Sequence, residues 1–257
     1  MHHPRMGVAA SKVPEITIGF WIIKIAATTF GETGGDALSM TLDLGYAISS
    51  LLFIAFFAVT AMAQIRAKHF HPFLYWAVIV ATTTAGTTMA DFADRSLGVG
   101  YVGGSLILFG LLLAVLGLWW RIEGSVSVDH IATPRVEGFY WATILFSNTL
   151  GTALGDFLAD DSGLGYEGGA LVFAGLLTII AAAYFWSGLS RVLLFWLAFI
   201  LTRPLGATVG DLLTKPVGDG GLSLGRIGSS AIILALIVAA ILIIPQRAGG
   251  HPGREAA

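Results

Sequence analysis

Long apolar runs alternate with short polar connections along almost the whole chain. Each run is close to the roughly 20 residues that a helix needs to cross the hydrocarbon core of a membrane. Because the backbone in lipid must satisfy its own hydrogen bonds, these runs are predicted to be α-helices. Eight runs can be outlined, near residues 15–36, 44–64, 72–91, 97–120, 137–156, 164–186, 191–211 and 223–245.

The composition supports a membrane protein. Of the 257 residues, 56% are hydrophobic and only 12% are charged, whereas soluble domains have about 25% charged residues. We therefore predict an all-α integral membrane protein with eight transmembrane helices, whose surroundings are the lipid bilayer. The net charge of −2 provides no basic surface for nucleic acid. The absence of cysteine excludes thiolate metal sites, and we predict no cofactor.

The apolar runs belong to an internal repeat. A motif of Gly, three residues, a small residue and Asp occurs four times, as GETGGD, GTTMAD, GTALGD and GATVGD at residues 31–36, 86–91, 151–156 and 206–211. A Gly-Tyr pair follows nine residues after the Asp in three copies. The fourth copy has Gly225-Arg226 after a five-residue insertion. Four matches in register indicate duplication.

These repeats define the predicted domain organisation. A single transmembrane domain covers residues 15–246, with repeats at 15–67, 70–123, 135–188 and 191–246. Residues 1–14 and 247–257 are predicted to be terminal tails. Because two spans return the chain to its starting side, the four helix pairs are expected to be parallel, with pseudo-symmetry about the membrane normal.

The basic residues predict the orientation. Nine Lys and Arg residues lie between or outside the repeats and five lie within them. Basic residues concentrate on the cytoplasmic side, so both tails are expected in the cytoplasm and the protein in the inner (plasma) membrane.

The motif glycines have the small-xxx-small spacing that lets membrane helices approach closely. We therefore predict that they pack helices together. They are Gly31, Gly86, Gly151 and Gly206, followed by Gly35, Gly155 and Gly210.

Placing a charged aspartate within the membrane costs free energy, and such residues usually face a protein interior or water. One interpretation is that the motif aspartates end their helices and cap the following ones. The other is a ring of carboxylates around the pseudo-symmetry axis, which would suit hard cations such as Mn²⁺, Mg²⁺ and Ca²⁺. The candidate ion or metal ligands are Asp36, Asp91, Asp156 and Asp211, with Glu32 from the first motif.

Polar residues before the motifs extend this candidate site. Thr29, Thr84, Asn148 and Thr149 are predicted to line it, although a hydroxyl group here can instead bond to its own helix. Arg203 lies two turns before Asp211 and needs a carboxylate partner, most simply one from another repeat.

Lys24 lies deeper in the first helix. It is either an internal counter-charge or a side chain that snorkels to the cytoplasmic surface. Asp94 is read as a solvated loop acid. The aromatic residues near predicted helix ends are interpreted as interfacial anchors; they include Trp119, Trp120, Tyr140, Trp141 and Trp186.

The repeated Gly…Asp…Gly-Tyr unit, over residues 15 to 245, resembles a bacterial family of multi-pass membrane proteins. Members of that family, uncharacterised membrane-anchored proteins, contain four copies of a repeat of unknown function. The resemblance implies the repeat architecture and no activity.

Two shorter stretches resemble other families. GETGGD is similar to the Glu-x-Gly-Asp signatures of manganese and calcium transporters in the lysine-exporter superfamily, but three residues rather than two separate Glu32 from Asp36. ALGDF at residues 153–157 resembles the Gly-x-Gly-Asp site of intramembrane aspartyl proteases. There, Ala153 replaces the first glycine, and the usual Tyr-Asp partner is missing.

The function predicted from the sequence is a secondary transporter or exporter of a divalent, Mn²⁺-like cation. Coupling to protons is left open. The first alternative is a non-catalytic structural or assembly protein, and the less favoured one is an intramembrane aspartyl protease. We therefore do not expect an enzyme. The substrate, the direction of transport and the oligomeric state are left open.

Overall fold

The computed structural model describes residues 11–131 and 133–249 of the chain. Within these residues it contains eight α-helices and no β-strand. The helices are α1 Ile18–Asp36, α2 Gly45–Arg66, α3 Pro72–Asp91, α4 Tyr101–Glu123, α5 Pro134–Asp156, α6 Gly165–Trp186, α7 Arg191–Thr214 and α8 Arg226–Ile243. The predicted all-helical class is therefore confirmed.

Six of the helices in the described part of the chain are long and apolar enough to cross a membrane. These are α2, α3 with its extension to Ser96, α4, α6, α7 and α8. The other two, α1 and α5, contain more polar residues, among them Glu32 and Asn148, which are buried inside the protein. The structure thus supports a helical membrane protein.

The helices form two layers. The inner helices α1, α3, α5 and α7 contact one another in a closed ring, with α7 returning to α1. The outer helix of each repeat packs on the inner helix of the next, as α2 on α3, α4 on α5 and α6 on α7, and α8 closes the circle on α1. Each outer helix therefore packs mainly on the repeat that follows its own.

A π-helical turn follows the motif aspartate in the first three repeats, over Ala37–Thr41, Phe92–Ser96 and Phe157–Asp161. The aspartates Asp36, Asp91 and Asp156 make no side-chain capping bond at these turns. The following helices α2, α4 and α6 also begin without a side-chain cap, so the interpretation that the motif aspartates cap the next helix is wrong for these three. The π-helical turns instead continue the inner helices beyond the carboxylates.

In the fourth repeat α7 continues past Asp211 to Thr214 without a π-helical turn. The five-residue insertion folds back onto the end of α7, where Leu222 N donates to Leu212 O at 2.7 Å. The fourth copy thus reaches its outer helix by a different connection.

Aromatic side chains fill the end of the bundle opposite the aspartates. Tyr75 and Tyr140 are fully buried and share a hydrogen bond of 2.6 Å between their hydroxyl groups. Trp119 and Trp141 are also buried in this core. Reading Trp119, Tyr140 and Trp141 as interfacial anchors was therefore wrong, because these rings pack between helices.

The described parts of both tails lie against this aromatic end. Gly249 N donates to Val13 O at 2.8 Å, and Glu15 N donates to Arg247 O at 2.9 Å. Lys12 reaches three carbonyl groups at the end of α2 and forms an ion pair with Glu137 of α5. The N-terminal segment thus joins α2 to α5 and also pairs with the C-terminal segment. The remaining tail residues, 1–10 and 250–257, lie outside the described residues.

Candidate functional site

The four motif aspartates come together at the carboxyl ends of the inner helices, and each is about 2% exposed. We refer to Asp36, Asp91, Asp156 and Asp211 as the acidic ring. Its members are joined in pairs by basic side chains. Arg95 lies 2.9 Å from Asp91 Oδ1 and 3.5 Å from Asp156 Oδ2. The ring is thus formed from all four repeats.

The other pair of the acidic ring shares Lys215. Its Nζ lies 3.6 Å from Asp36 Oδ2 and 3.2 Å from Asp211 Oδ1. Asp36 has a second partner in Arg226, at 3.2 Å from Nε. Arg226 occupies the position at which the other repeats have tyrosine, and it reaches Asp36 because α8 packs on α1.

Close packing of the inner helices depends on the first motif glycines. A Cβ atom on Gly31 would lie 2.6 Å from Thr83 Oγ1, and one on Gly206 would lie 2.6 Å from Thr28 Cβ. Cβ atoms on Gly86 and Gly151 would similarly meet Asn148 and Arg203 of the next inner helix. Each glycine therefore contacts the next helix in the ring.

The second small position continues this contact one turn further along. Cβ atoms on Gly35, Gly155 and Gly210 would lie 3.0, 3.0 and 2.7 Å from Thr87, Ala207 and Glu32, respectively. Because both contact levels advance in the same direction, neighbouring inner helices run parallel. This geometry is the small-residue packing of membrane helices.

Arg203 lies where the four inner helices meet. Its Nη2 is 2.9 Å from Glu32 Oε2 of α1 and 2.7 Å from Thr152 Oγ1 of α5, and it also contacts Thr87 Oγ1 of α3. Both Arg203 and Glu32 are buried. The guanidinium group of the fourth repeat therefore meets side chains from the other three.

The threonines predicted to line the site use their hydroxyl groups differently. Thr29, Thr84 and Thr149 donate to carbonyl groups four residues earlier in their own helices, at 3.0, 3.0 and 2.9 Å. Their hydroxyl groups thus bond to their own helices, which was the alternative to lining the site. One residue earlier, the hydroxyl groups of Thr28 and Thr83 lie between two carbonyl groups. Each is within reach of the neighbouring helix, at Thr202 O and Ala27 O (3.1 and 3.2 Å), and also of its own helix, at 2.8 and 2.9 Å.

Asn148 connects three helices. Its Nδ2 donates to Thr82 Oγ1 at 2.9 Å, and its Oδ1 accepts from Lys24 Nζ at 3.5 Å. Lys24 is fully buried and also lies over the ring of Phe199, with Nζ 4.1 Å from the centroid. The prediction that Lys24 snorkels to the surface is therefore wrong. Within the described residues it also forms no ion pair with a carboxylate.

Glu32, Asp36 and Asp211 form the part of the site best suited to a cation. One oxygen from each carboxylate lies within 4.8 Å of the others, and all three residues are buried. Lys215 already contacts two of these groups. Burial lowers the pKa of Lys215, but Asp211 and Asp36 raise it more strongly, so its pKa lies above the usual lysine value. The ammonium group therefore stays charged beside them.

Sequence reasoning missed Arg95, Lys215 and Arg226 as partners of the acidic ring. A signal was present for two of them, because Arg95 and Lys215 each follow a motif aspartate by four residues, the spacing that brings helix side chains together. Asp94 was wrongly read as solvated. It is buried against Gly104, where a Cβ atom would clash with its carboxylate.

Comparison with known proteins relates this architecture to one family. The profile of the Repeat of Unknown Function (DUF347) matches residues 19–70, 74–125, 139–190 and 194–246. No curated protein and no solved structure matches the chain significantly. The four matches cover more than half of the chain, and each contains most of one inner helix and all of one outer helix. The protein thus belongs to the family built from the Repeat of Unknown Function (DUF347).

Proposed function

We propose that this protein is a secondary transporter that moves a divalent cation such as Mn²⁺ along the axis of the inner helices. The observation that carries the proposal is the cluster of Glu32, Asp36 and Asp211, with oxygens within 4.8 Å of one another in the protein interior. Hard divalent cations prefer carboxylate oxygens. Burying such a cluster within a membrane protein costs free energy, and buried ionisable residues in membrane proteins commonly have a function.

Lys215 provides a way to bind and release the cation. It follows the end of α7, and its side chain is 11% exposed. Its ammonium group lies beside the carboxylates that a metal ion would use. In the proposed cycle an incoming cation displaces Lys215 from Asp36 and Asp211, and the side chain returns when the cation leaves. Buried carboxylates are thereby neutralised in both states.

The proposed transport path has two different ends. At one end the partly exposed Arg95, Arg226 and Lys215 cover the acidic ring. At the other, the Tyr75–Tyr140 pair and surrounding aromatic rings close the bundle. In this proposal the acidic ring faces the exterior and the aromatic end faces the cytoplasm, in agreement with the distribution of basic residues.

The membrane arrangement is part of the proposal. All eight helices span the plasma membrane in four parallel pairs, with pseudo-symmetry about the membrane normal and both termini in the cytoplasm. The closed ring of inner helices and the matching glycine contacts support this arrangement. Because α1 and α5 bury their polar residues inside the ring, their lower hydropathy is compatible with spanning. An ion gradient would supply the energy.

A structural or assembly role is the second candidate. It is favoured by the ion pairing, because every member of the acidic ring has a basic partner and Glu32 has Arg203. Such a network also suits a protein whose repeats only pack together. We do not propose an enzyme. A protease dyad requires two carboxylates that share a proton, and Arg95 lies between Asp91 and Asp156.

The test is Mn²⁺ uptake into proteoliposomes that contain the purified protein. We expect Asp36→Asn and Asp211→Asn each to lower the initial rate by at least about tenfold, since each removes a charged ligand. Asp43→Asn is the matched control, because Asp43 is exposed and asparagine tolerates its positive φ of 55°. This control should transport at the wild-type rate.

A structural role predicts a different result. Wild-type proteoliposomes that take up Mn²⁺, Mg²⁺ and Ca²⁺ no faster than empty liposomes would contradict the transport proposal. Size-exclusion profiles of the variants establish that a lost rate does not arise from unfolding.

A further inference from the structure

Lys24 is a buried charged residue that the proposed cation cycle does not yet use. Its side chain is fully buried on α1. The contacts of its Nζ are Asn148 Oδ1, at a long 3.5 Å, and the ring of Phe199. Neither is a charged partner. A buried amine with so little to stabilise its charge is well suited to gain and lose a proton.

The groups around Lys24 are almost all neutral. From α5 it meets Asn148, whose amide is held by Thr82 of α3. The charged residues of α3 and α8 are Asp91 and Arg226, and both lie at the acidic ring. From α7 the charged residue that reaches this part of α1 is Arg203, which donates to Thr28 O, and its positive charge disfavours a second positive charge nearby.

Arg203 connects Lys24 to the proposed cation site. Its Nη1 donates to Thr28 O, one turn from Lys24, at 3.3 Å, while its Nη2 pairs with Glu32 at 2.9 Å. A cation that binds Glu32 competes with Arg203 for the same carboxylate. The guanidinium charge is then less well compensated, so its repulsion of the Lys24 ammonium group increases.

Charge balance in the buried site leads to the same conclusion. Five carboxylates, Glu32 and the acidic ring, face four basic partners, and a protonated Lys24 brings the number of positive charges to five. A divalent cation adds two positive charges. The departure of Lys215 removes one, and the loss of one proton from Lys24 removes the other. The buried charge then remains constant through the exchange.

We propose that Lys24 carries the proton that this protein exchanges for the divalent cation, with Arg203 as the positioning residue that links it to Glu32. The inference rests on the proposed transport function. When the cation binds, one N–H bond of the Lys24 ammonium group breaks, and its electron pair stays on nitrogen. The proton is transferred to water. Release of the cation reverses these steps.

The first experiment measures protons released when Mn²⁺ binds to the purified protein in weakly buffered detergent solution. Metal binding to carboxylate sites commonly releases protons, so the informative quantity is the difference between variants. We expect Lys24→Met to release about one proton fewer per bound Mn²⁺ than the wild type. Lys68→Met, which removes an exposed lysine, should release the wild-type number.

A second variant keeps the test valid if Lys24→Met does not fold. Lys24→Arg retains a group that stays protonated at all accessible pH values. It should bind Mn²⁺ at least about tenfold more weakly, because the positive charge cannot leave. In proteoliposomes containing pyranine, wild-type Mn²⁺ transport should move protons in the opposite direction. Lys24→Met should transport Mn²⁺ without this proton movement.

Two failures are distinguishable. If Lys24→Met and Lys24→Arg bind Mn²⁺ with the wild-type proton release and coupling, this inference is overturned and the transport function is retained. If the wild-type protein neither binds nor transports Mn²⁺ or other divalent cations, the proposed function is overturned and the inference with it.

Discussion

Arg203 in the fourth repeat pairs with Glu32 in the first, with 2.9 Å between Nη2 and Oε2, and the Arg203 side chain is 0% exposed. The pair closes the ring of inner helices across 171 residues of sequence. At the equivalent positions of the other repeats, both members of the pair are neutral residues. The four repeats are thus not interchangeable, because this ion pair exists only between the last and the first.

Breaking this pair should destabilise the protein strongly. We expect Glu32→Gln to lower the free energy of unfolding by about 3–5 kcal/mol, because it leaves a buried guanidinium group without its carboxylate. The double variant Glu32→Gln/Arg203→Met should recover much of this loss. Denaturant unfolding in detergent, followed by tryptophan fluorescence, measures both.

The matched control for the buried pair is Glu123→Gln, which removes the half-buried partner of the exposed Arg135. Its effect should be below about 1 kcal/mol, as for other surface ion pairs. If Glu32→Gln and Glu123→Gln lower the free energy of unfolding by the same amount, the buried pair stabilises the protein no more than the surface pair does.

The contact between Gly206 and Thr28 should not tolerate a methyl group. A Cβ atom there would lie 2.7 Å from the Thr28 backbone carbonyl carbon, so α7 and α1 would have to move apart. We expect Gly206→Ala to lower the free energy of unfolding by about 1–3 kcal/mol. Gly117→Ala is the control, because an added Cβ on this glycine in α4 meets nothing within 4 Å. It should be neutral or gain up to about 1 kcal/mol from helix propensity.

Lys12 should be important for holding the N-terminal segment against the bundle. Its Nζ donates to carbonyl groups of Gln64, Ile65 and Ala67 at 3.1, 2.9 and 3.0 Å, and it pairs with buried Glu137. We expect Lys12→Gln to cost about 3–5 kcal/mol of unfolding free energy, since Glu137 loses its buried partner. Thermal unfolding checks this against Lys68→Gln, the change of an exposed lysine. Equal transition temperatures for Lys12→Gln and Lys68→Gln would show that the contacts of Lys12 do not stabilise the protein.

The stabilisation provided by Lys215 should not depend on pH near neutrality. The carboxylates of Asp211 and Asp36 raise its pKa above the usual value, despite the opposing effect of burial. A group with a raised folded-state pKa contributes its full stability below the unfolded-state pKa of about 10.4 and loses it only as the pH rises through the folded-state value.

The comparison for Lys215 is therefore between the wild type and Lys215→Met at several pH values. We expect the difference in unfolding free energy to remain constant from about pH 6 to about pH 9. A difference that falls steadily over this range would mean that the ammonium group loses its proton there.

Several features of the site were predictable from residue spacing and residue type. The motif glycines lie where small-residue spacing places helix contacts, and the motif aspartates share one depth because the copies align in register. The need of Arg203 for a carboxylate also follows from the cost of a buried charge. In each case the residues on which the prediction depends lie within a single helix.

Other features depend on which helices become neighbours. Arg95 joins Asp91 to Asp156, and Lys215 joins Asp211 to Asp36, through contacts that cross repeats. Lys24 has no surface to snorkel to, because it is fully buried between Asn148 of α5 and Phe199 of α7. No local pattern contains that information.

The amino-acid sequence by itself determined the helical membrane class, the four repeats and the register of their motifs, since hydropathy and spacing are properties of the linear chain. The tertiary structure alone decided that the inner helices close into a ring, that each outer helix covers the next repeat, and that Glu32 rather than a motif aspartate pairs with Arg203. These outcomes depend on the simultaneous packing of distant segments, in which steric fit and the cost of a buried charge are settled together.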